Sequence, residues 1–220
     1  ETEQEDVKQY TAIIYNNLVT VFNDGSITLN QTYFNYATSL RMINESKFEA
    51  LFGFKRRLPN EELTSKHIAL AQALQQVLEH VIMGMAQHAK SLTQSDNLCL
   101  AGGVALNGVA NGKLHESGLF KNVFIQPAAG DAGGALGAAL AAYHMHFKQP
   151  RTLQKPDAMK GSLLGPSFSA QEITHAINEA GLKYTHYDST ELITETVKRL
   201  LDGKVIGWFV GRMEFGPRAL

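Results

Sequence analysis

Asn97-Leu98-Cys99-Leu100-Ala101-Gly102-Gly103-Val104-Ala105-Leu106-Asn107 is a short apolar run that breaks at paired glycines and resumes as a helical segment to about Ser117. Apolar runs of this length bounded by glycine suit a buried strand. The same arrangement recurs one step along the chain. Asn122 to Gln126 is a second strand, followed by Pro127-Ala128-Ala129-Gly130-Asp131 and a small-residue helix to about His146. Strand, glycine-rich turn and helix, repeated, predict an α/β layer with ligands at the strand ends.

The pattern extends in both directions. From Thr64 to Ser91, Leu70, Leu74, Val77, Leu78, Val81, Ile82 and Met85 form one apolar stripe at helical spacing. Before it, Phe48 to Phe54 reads as a short helix ending at Gly53. Leu18 to Phe22 and Ile27 to Leu29 flank Asn23-Asp24-Gly25, a hairpin signal because glycine accepts positive φ. The basic run Lys55-Arg56-Arg57 is either a solvated loop or a phosphate contact. On the other side, Pro150 to Pro166 has no periodicity and reads as a linker. Ser169-Ala170-Gln171-Glu172 has capping-box spacing ahead of a helix that runs to Gly181. Tyr184 to Tyr187 is expected as a strand, Asp188 or Ser189 as the cap of a helix to Leu201, and Lys204 to Val210 as a further strand. Residues 1–150 and 151–220 are accordingly expected to belong to two α/β domains.

Composition narrows the function. The 220 residues are 44% hydrophobic with a net charge of −1, so no basic field argues for nucleic acid or anionic membrane. No apolar stretch approaches the roughly 20 residues of a bilayer span. The single cysteine, Cys99, fits a reducing compartment and is expected as a small buried side chain rather than a nucleophile. A cytoplasmic location is the expectation. The chain opens at Glu1 without methionine and stops just after a Gly-Pro turn, as expected of a piece of a longer protein.

Three segments carry chemistry. At Gly102-Gly103 the backbone can approach a ligand closely, and Asn107 can both donate and accept, which suits a ribose or phosphate. This is not a Walker A loop, because Asn107 stands where the first glycine is needed and Leu114 replaces Ser/Thr. Around Gly130, Asp131, Gly133 and Gly134, one carboxylate among small residues could hold a hard metal ion beside phosphates, cap the helix, or do both. The dinucleotide fingerprint fails there, since Ala132 occupies a glycine position. Gly211-Arg212-Met213-Glu214-Phe215-Gly216-Pro217-Arg218 offers two arginines for bidentate contacts with phosphate or carboxylate, or is a surface turn paired to Glu214. The histidines add little, because His144 and His146 lie two apart and face different ways.

Across these segments the chain resembles the nodulation- and tobramycin-type O-carbamoyltransferases. The matching text is Asn97 to Asn107, Val109 to Leu114, Val123 to Ala138 and Gly211 to Leu220, with weaker likeness at Tyr33 to Tyr36 and Phe48 to Gly53. The resemblance implies the C-terminal half of an actin/sugar-kinase-like (ribonuclease H-like) ATPase domain, followed by the start of a second α/β domain. It implies ATP and a divalent metal, Fe²⁺ or Mg²⁺, as cofactors. Carbamoyl phosphate is the donor and a hydroxylated small molecule or oligosaccharide the acceptor, with carbamoyl adenylate between them. On that pattern Gly102, Gly103, Asn107, Gly130, Gly133 and Gly134 line the nucleotide site, Asp131 ligates the metal, and Arg212 and Arg218 bind the anionic donor. The family's His-x-x-x-His metal motif and its Asp-containing phosphate loop do not occur in this chain, and Gly108 replaces a usual cysteine. The chain is therefore expected to be inactive alone. Two other classes compete: a sugar- or acyl-kinase-like phosphotransferase, which the Gly-Pro-Arg segment argues against, and a non-catalytic nucleotide-binding module.

Overall fold

In a computed structural model, which describes residues 2–155 and 157–217, the chain forms two compact units, Glu1–Gln126 and Pro127–Leu220. The first holds α1 (Thr2–Ile13), β1 (Val19–Val21), β2 (Ile27–Leu29), α2 (Glu45–Phe52), α3 (Ser65–Thr93), β3 (Asn97–Leu100), α4 (Gly108–Glu116) and β4 (Asn122–Ile125). The second holds α5 (Asp131–Ala141), α6 (Ala170–Glu179) and α7 (Ser189–Leu201). No helix among the described residues is long and apolar enough to cross a membrane.

The first unit is built along α3. His67 Nδ1 accepts from the Thr64 backbone N–H and closes the first turn of that helix. One core cluster gathers Val7, Tyr10 and Ile14 against Ala69, Ala73 and Val77, with Phe52 of α2 edge-on to Tyr10. The buried seam of α3 is Ala69, Ala73, Val77 and Val81, spaced every four residues, while Leu74 and Met85 are more than half exposed. This keeps Val77 and Val81 of the expected stripe and corrects it at Leu74 and Met85. Large apolar residues mark one face, but close approach of α1 selects the small ones beside it. α1 itself has no counterpart among the expected elements, although Val7, Tyr10, Ile14 and Leu18 recur at helical spacing.

The expected hairpin forms, with Val19 opposite Leu29 and Val21 opposite Ile27. Its turn presses on α3. A Cβ at Gly25, where φ is +77°, would lie 2.1 Å from the Met85 backbone nitrogen, and one at Gly84 would lie 3.0 Å from the Gly25 Cα. The two glycines let the backbones touch.

β3 and β4 pair in parallel across the α4 crossover, with Asn97 opposite Asn122 and Leu100 opposite Ile125. Leu98, Leu100 and Val123 pack on a second cluster of Ala86, Leu114 and Phe120. Because side chains alternate along a strand, Cys99 and its register partner Phe124 fall on the other face. Both are exposed, so Cys99 is not the buried side chain the sequence suggests. Asp96 ties the sheet to α3 by accepting from Lys90 at 3.0 Å and Lys121 at 2.6 Å.

In the second unit, α6 and α7 start at full capping boxes, Ser169 with Glu172 and Asp188 with Glu191. Residues 184–187 and 204–210 form no strand, contrary to expectation. A ladder needs a partner, and these runs do not pair with each other. The far end of the expected linker is ordered instead: Gly165 N–H donates to Met213 O at 2.9 Å, and Met213 N–H to Pro166 O at 3.0 Å.

Two stability predictions follow from this packing. Gly25→Ala should cost about 3 kcal/mol, combining left-handed strain with overpacking, and Gly53→Ala about 1 kcal/mol, because Gly53 shares the positive φ but a Cβ there meets nothing within 4 Å. Urea unfolding of both variants checks the order; equal costs would remove the close approach from the explanation. Asp188→Ala should cost α7 about 1 kcal/mol and lower its helical circular dichroism, since Asp188 Oδ1 accepts from Thr190 and Glu191 N–H at 2.8 and 2.9 Å.

Candidate functional site

Gly102 sits one residue beyond β3, after Ala101, with φ +98° and ψ 161°, a backbone conformation that glycine alone adopts readily. A Cβ on Gly102 or Gly103 would meet nothing within 4 Å, and both residues are exposed. The turn thus presents open backbone. Residues Gly103–Leu106 follow as a 3₁₀ turn, and α4 begins at Gly108, three residues later than the expected helix. The difference has a local cause, because Asn107 keeps an extended ψ of 95° and caps α4, its Oδ1 accepting from Ala110 N–H at 2.9 Å.

Asn107 is also tied to α3. Gln75 Nε2 donates to Asn107 Oδ1 at 3.0 Å, and Asn107 Nδ2 donates to Gln75 Oε1 at 2.8 Å. Gln75 Nε2 donates in addition to Glu79 Oε1 at 3.0 Å, and Lys113 of α4 pairs with Glu79 Oε2. Burial pushes the Glu79 carboxyl upward, but hydrogen bonds from Lys113 and Gln75 and the lysine charge outweigh it and hold the group below its ordinary value. Glu79 is therefore an ionised acceptor at neutral pH. A polar chain runs from α4 through α3 and back to the start of α4. Nothing in the sequence spacing announced it, since Gln75 and Asn107 stand 32 residues apart.

Behind the turn, a cavity of about 310 Å³ is lined by Ile82, Met85, Leu98, Leu100, Val104 and Asn111, among others. It is apolar apart from Asn111, which donates to Ala105 O at 2.7 Å. Arg56 and Arg57 of the basic run near α2 have local partners. Arg56 pairs with Glu45 at 3.1 Å, and Arg57 donates to Glu61 O at 2.6 Å, which favours the loop reading over a phosphate contact.

In the second unit, Gly130 is the N-cap of α5 and Asp131 its first helical residue, with an exposed side chain. Asp131 is not the N-cap, and no side chain caps this helix. Gly133 and Gly134 lie in its first turn, and Gly134 N–H donates to Gly130 O at 3.1 Å. Glycine inside a helix costs about 1 kcal/mol relative to alanine. A Cβ at Gly130, Gly134 or Gly137 would meet nothing within 4 Å, so packing does not require glycine at those three positions. Among the described residues no three His, Cys, Asp or Glu gather to hold a metal, so Asp131 offers one carboxylate only. Arg212 is exposed and donates through Nη2 to Leu164 O at 3.5 Å, a long contact that leaves its fork open. Arg218 lies outside the described residues. Gly102, Gly103 and Asn107 thus adjoin one another in the first unit, while Gly130, Asp131, Gly133 and Gly134 adjoin in the second.

Residues 6–140 match the carbamoyltransferase N-terminus family. The uncharacterized protein sll1178 of Synechocystis is 47% identical over 214 residues, 96% of this chain and 35% of that protein. The nodulation protein NolO of Bradyrhizobium diazoefficiens is 39% identical over 160 residues, covering 71% of this chain and 28% of its own length. Nodulation protein U of the same organism is 33% identical over 189 residues, covering 84% and 29%. The chain therefore spans about a third of the length of the relatives it matches. With the glycine turn, the capping asparagine and the Asp-headed helix all inside or beside the matched region, the chain belongs to the nodulation-type carbamoyltransferase family.

Proposed function

We propose that this chain is the nucleotide-handling part of an ATP-dependent O-carbamoyltransferase with an actin/sugar-kinase-like ATPase domain over residues 1–150 and the opening of a second domain over 151–220. The observation that carries the reading is the Gly102-Gly103 turn, whose open backbone stands one short 3₁₀ turn before the Asn107-capped helix. Backbone N–H groups and a helix N-terminus favour phosphate oxygens.

In the proposed reaction, water cleaves carbamoyl phosphate to carbamate and phosphate. A carbamate oxygen then attacks the α-phosphorus of ATP, and pyrophosphate leaves. The acceptor hydroxyl oxygen attacks the carbamoyl carbon of the resulting adenylate, the hydroxyl proton is lost, and AMP departs. Gly102, Gly103 and Asn107 hold the nucleotide. Gly130, Gly133 and Gly134 carry no side chains, so that phosphate can approach the backbone at the start of α5 beside Asp131. Arg212, with Arg218, binds the anionic donor through guanidinium forks. A single carboxylate at Asp131 suits a hydrated Mg²⁺, which reaches proteins through one or two carboxylates and takes its other ligands from phosphate and water. A bound metal would neutralise phosphate charge. Because the chain is a third of its relatives' length, the proposal assigns it nucleotide binding and no turnover by itself.

Calorimetric titration of the chain with ATP tests this, with and without Mg²⁺ or Fe²⁺. The expected result is ATP binding that the metal strengthens, with Asp131→Asn losing about tenfold in affinity only when the metal is present. A chain that binds no ATP under any condition overturns the reading. A variant that tracks wild type with metal removes Asp131 from the metal role. Pyrophosphate release from ATP and carbamoyl phosphate by the chain alone would overturn the assignment of binding without turnover.

A further inference from the structure

The polar chain between α3 and α4 fixes what Asn107 can offer a ligand. The order of donors and acceptors along it admits one arrangement. Ala110 N–H is a backbone donor, so the asparagine atom facing it at 2.9 Å must be the oxygen. That oxygen also takes a Gln75 N–H at 3.0 Å, which uses both its acceptor positions. Gln75 must then present its oxygen to Asn107 Nδ2, at 2.8 Å, and its second N–H to Glu79, at 3.0 Å. The far end is anchored by a carboxylate that Lys113 keeps ionised, and an ionised carboxylate only accepts. Turning the Asn107 amide over would set N–H against N–H at both Ala110 and Gln75. The second hydrogen on Asn107 Nδ2 is the one side-chain hydrogen-bonding group of this residue that the chain leaves over.

From this we propose that Gln75 is a positioning residue for the nucleotide site: its amide pair joins Ala110 N–H in holding the Asn107 amide and occupies the second acceptor position of its oxygen, so that Asn107 is a pure donor toward the ligand at the Gly102-Gly103 turn. This rests on the nucleotide reading above and narrows it. The ligand atom at Asn107 is an acceptor, a phosphate oxygen or a ribose oxygen accepting, and never a hydroxyl or amine donating. Gln75 itself lies on α3 and acts only through Asn107.

A double-mutant cycle read by calorimetry with MgATP tests the assignment, with thermal melting as the folding control. Gln75→Met keeps the side-chain length and removes both donors and the acceptor. Asn107→Ser keeps an oxygen to cap α4 but cannot make the amide pair. Each single variant should weaken MgATP binding about tenfold. In the Asn107→Ser background, Gln75→Met should add no further loss, which is the signature of a residue acting through another. A purely structural role predicts the opposite, the same loss in both backgrounds, and that result overturns the proposal. So does a folded Gln75→Met chain with wild-type affinity. If Gln75→Met melts below the assay temperature, Gln75→Glu replaces it: its carboxylate can still accept from Asn107 but cannot donate to it, and it too should lose about tenfold. A wild-type chain that binds no MgATP overturns the nucleotide reading, and this assignment with it, whereas normal wild-type binding with additive variants overturns this assignment alone.

Discussion

Helix α3 is the constraint on which the first unit depends. At 29 residues it is about 44 Å long, and it supplies residues to both core clusters, Ala69, Ala73 and Val77 to one and Ala86 to the other. The first cluster requires a narrow seam, because α1 approaches where Ala69 and Ala73 have no exposed surface. The hairpin turn requires a gap, which Gly25 and Gly84 provide. The β3–α4–β4 layer then builds on the distal half, where Ile82 and Met83 meet Leu114 and Phe120. The same helix therefore sets where the hairpin and the parallel strands stand.

That placement carries over to the site. Gln75 lies within the span of the first cluster, between Ala73 and Val77, and Glu79 lies between Val77 and Ile82 of the second, where the backbone is held from both ends. Their partners, Asn107 and Lys113, sit on α4, which Leu114 anchors in the second cluster. Packing thus determines the distance across which the two amides meet, and the amides determine the orientation of Asn107. The turn ahead of it is held differently, by the glycine-only conformation of Gly102. Apolar packing governs Asn107, and backbone sterics govern the open loop beside it.

Features governed by local chemistry were legible in the sequence. Asp24-Gly25 signalled the hairpin, Gly53 the end of α2, and Ser169 and Asp188 the starts of α6 and α7, because each acts on a backbone within three residues. The strand–turn–helix repeat gave the parallel pair, and the quoted motifs gave the family. What escaped depends on distant partners. The expected stripe of α3 includes Val77 and Val81 but misses Ala69 and Ala73, because size complementarity to α1, rather than hydrophobicity, selects those two. Cys99 was placed inward because a strand's two faces look alike until one of them is packed. Residues 184–187 and 204–210 have strand composition, yet a strand exists only as a pairing. Gln75 carries no signal in the sequence, since its significance lies 32 positions away. The period of α1 was present in Val7, Tyr10, Ile14 and Leu18, and went unread.

The two units also differ in what holds them. The first has buried clusters; the second has buried Ala128, Ala129 and Ser162 but no cluster of large side chains among its described residues. Its helices have 10 to 13 residues, a length that is marginal in water without packing. α7 carries Ile193, Val197, Leu200 and Leu201 with their surfaces largely exposed. Capping boxes satisfy the first turns of α6 and α7, and the glycines of α5 weaken it further. The segment bearing Arg212 is instead pinned by backbone bonds around Met213, where a Cβ on Gly165 would lie 2.5 Å from the Met213 Cβ. Binding free energy adds directly to the stability of whatever the ligand orders. An anion bound at Arg212, or a metal at Asp131, would therefore stabilise this unit by an amount set by its concentration relative to its dissociation constant.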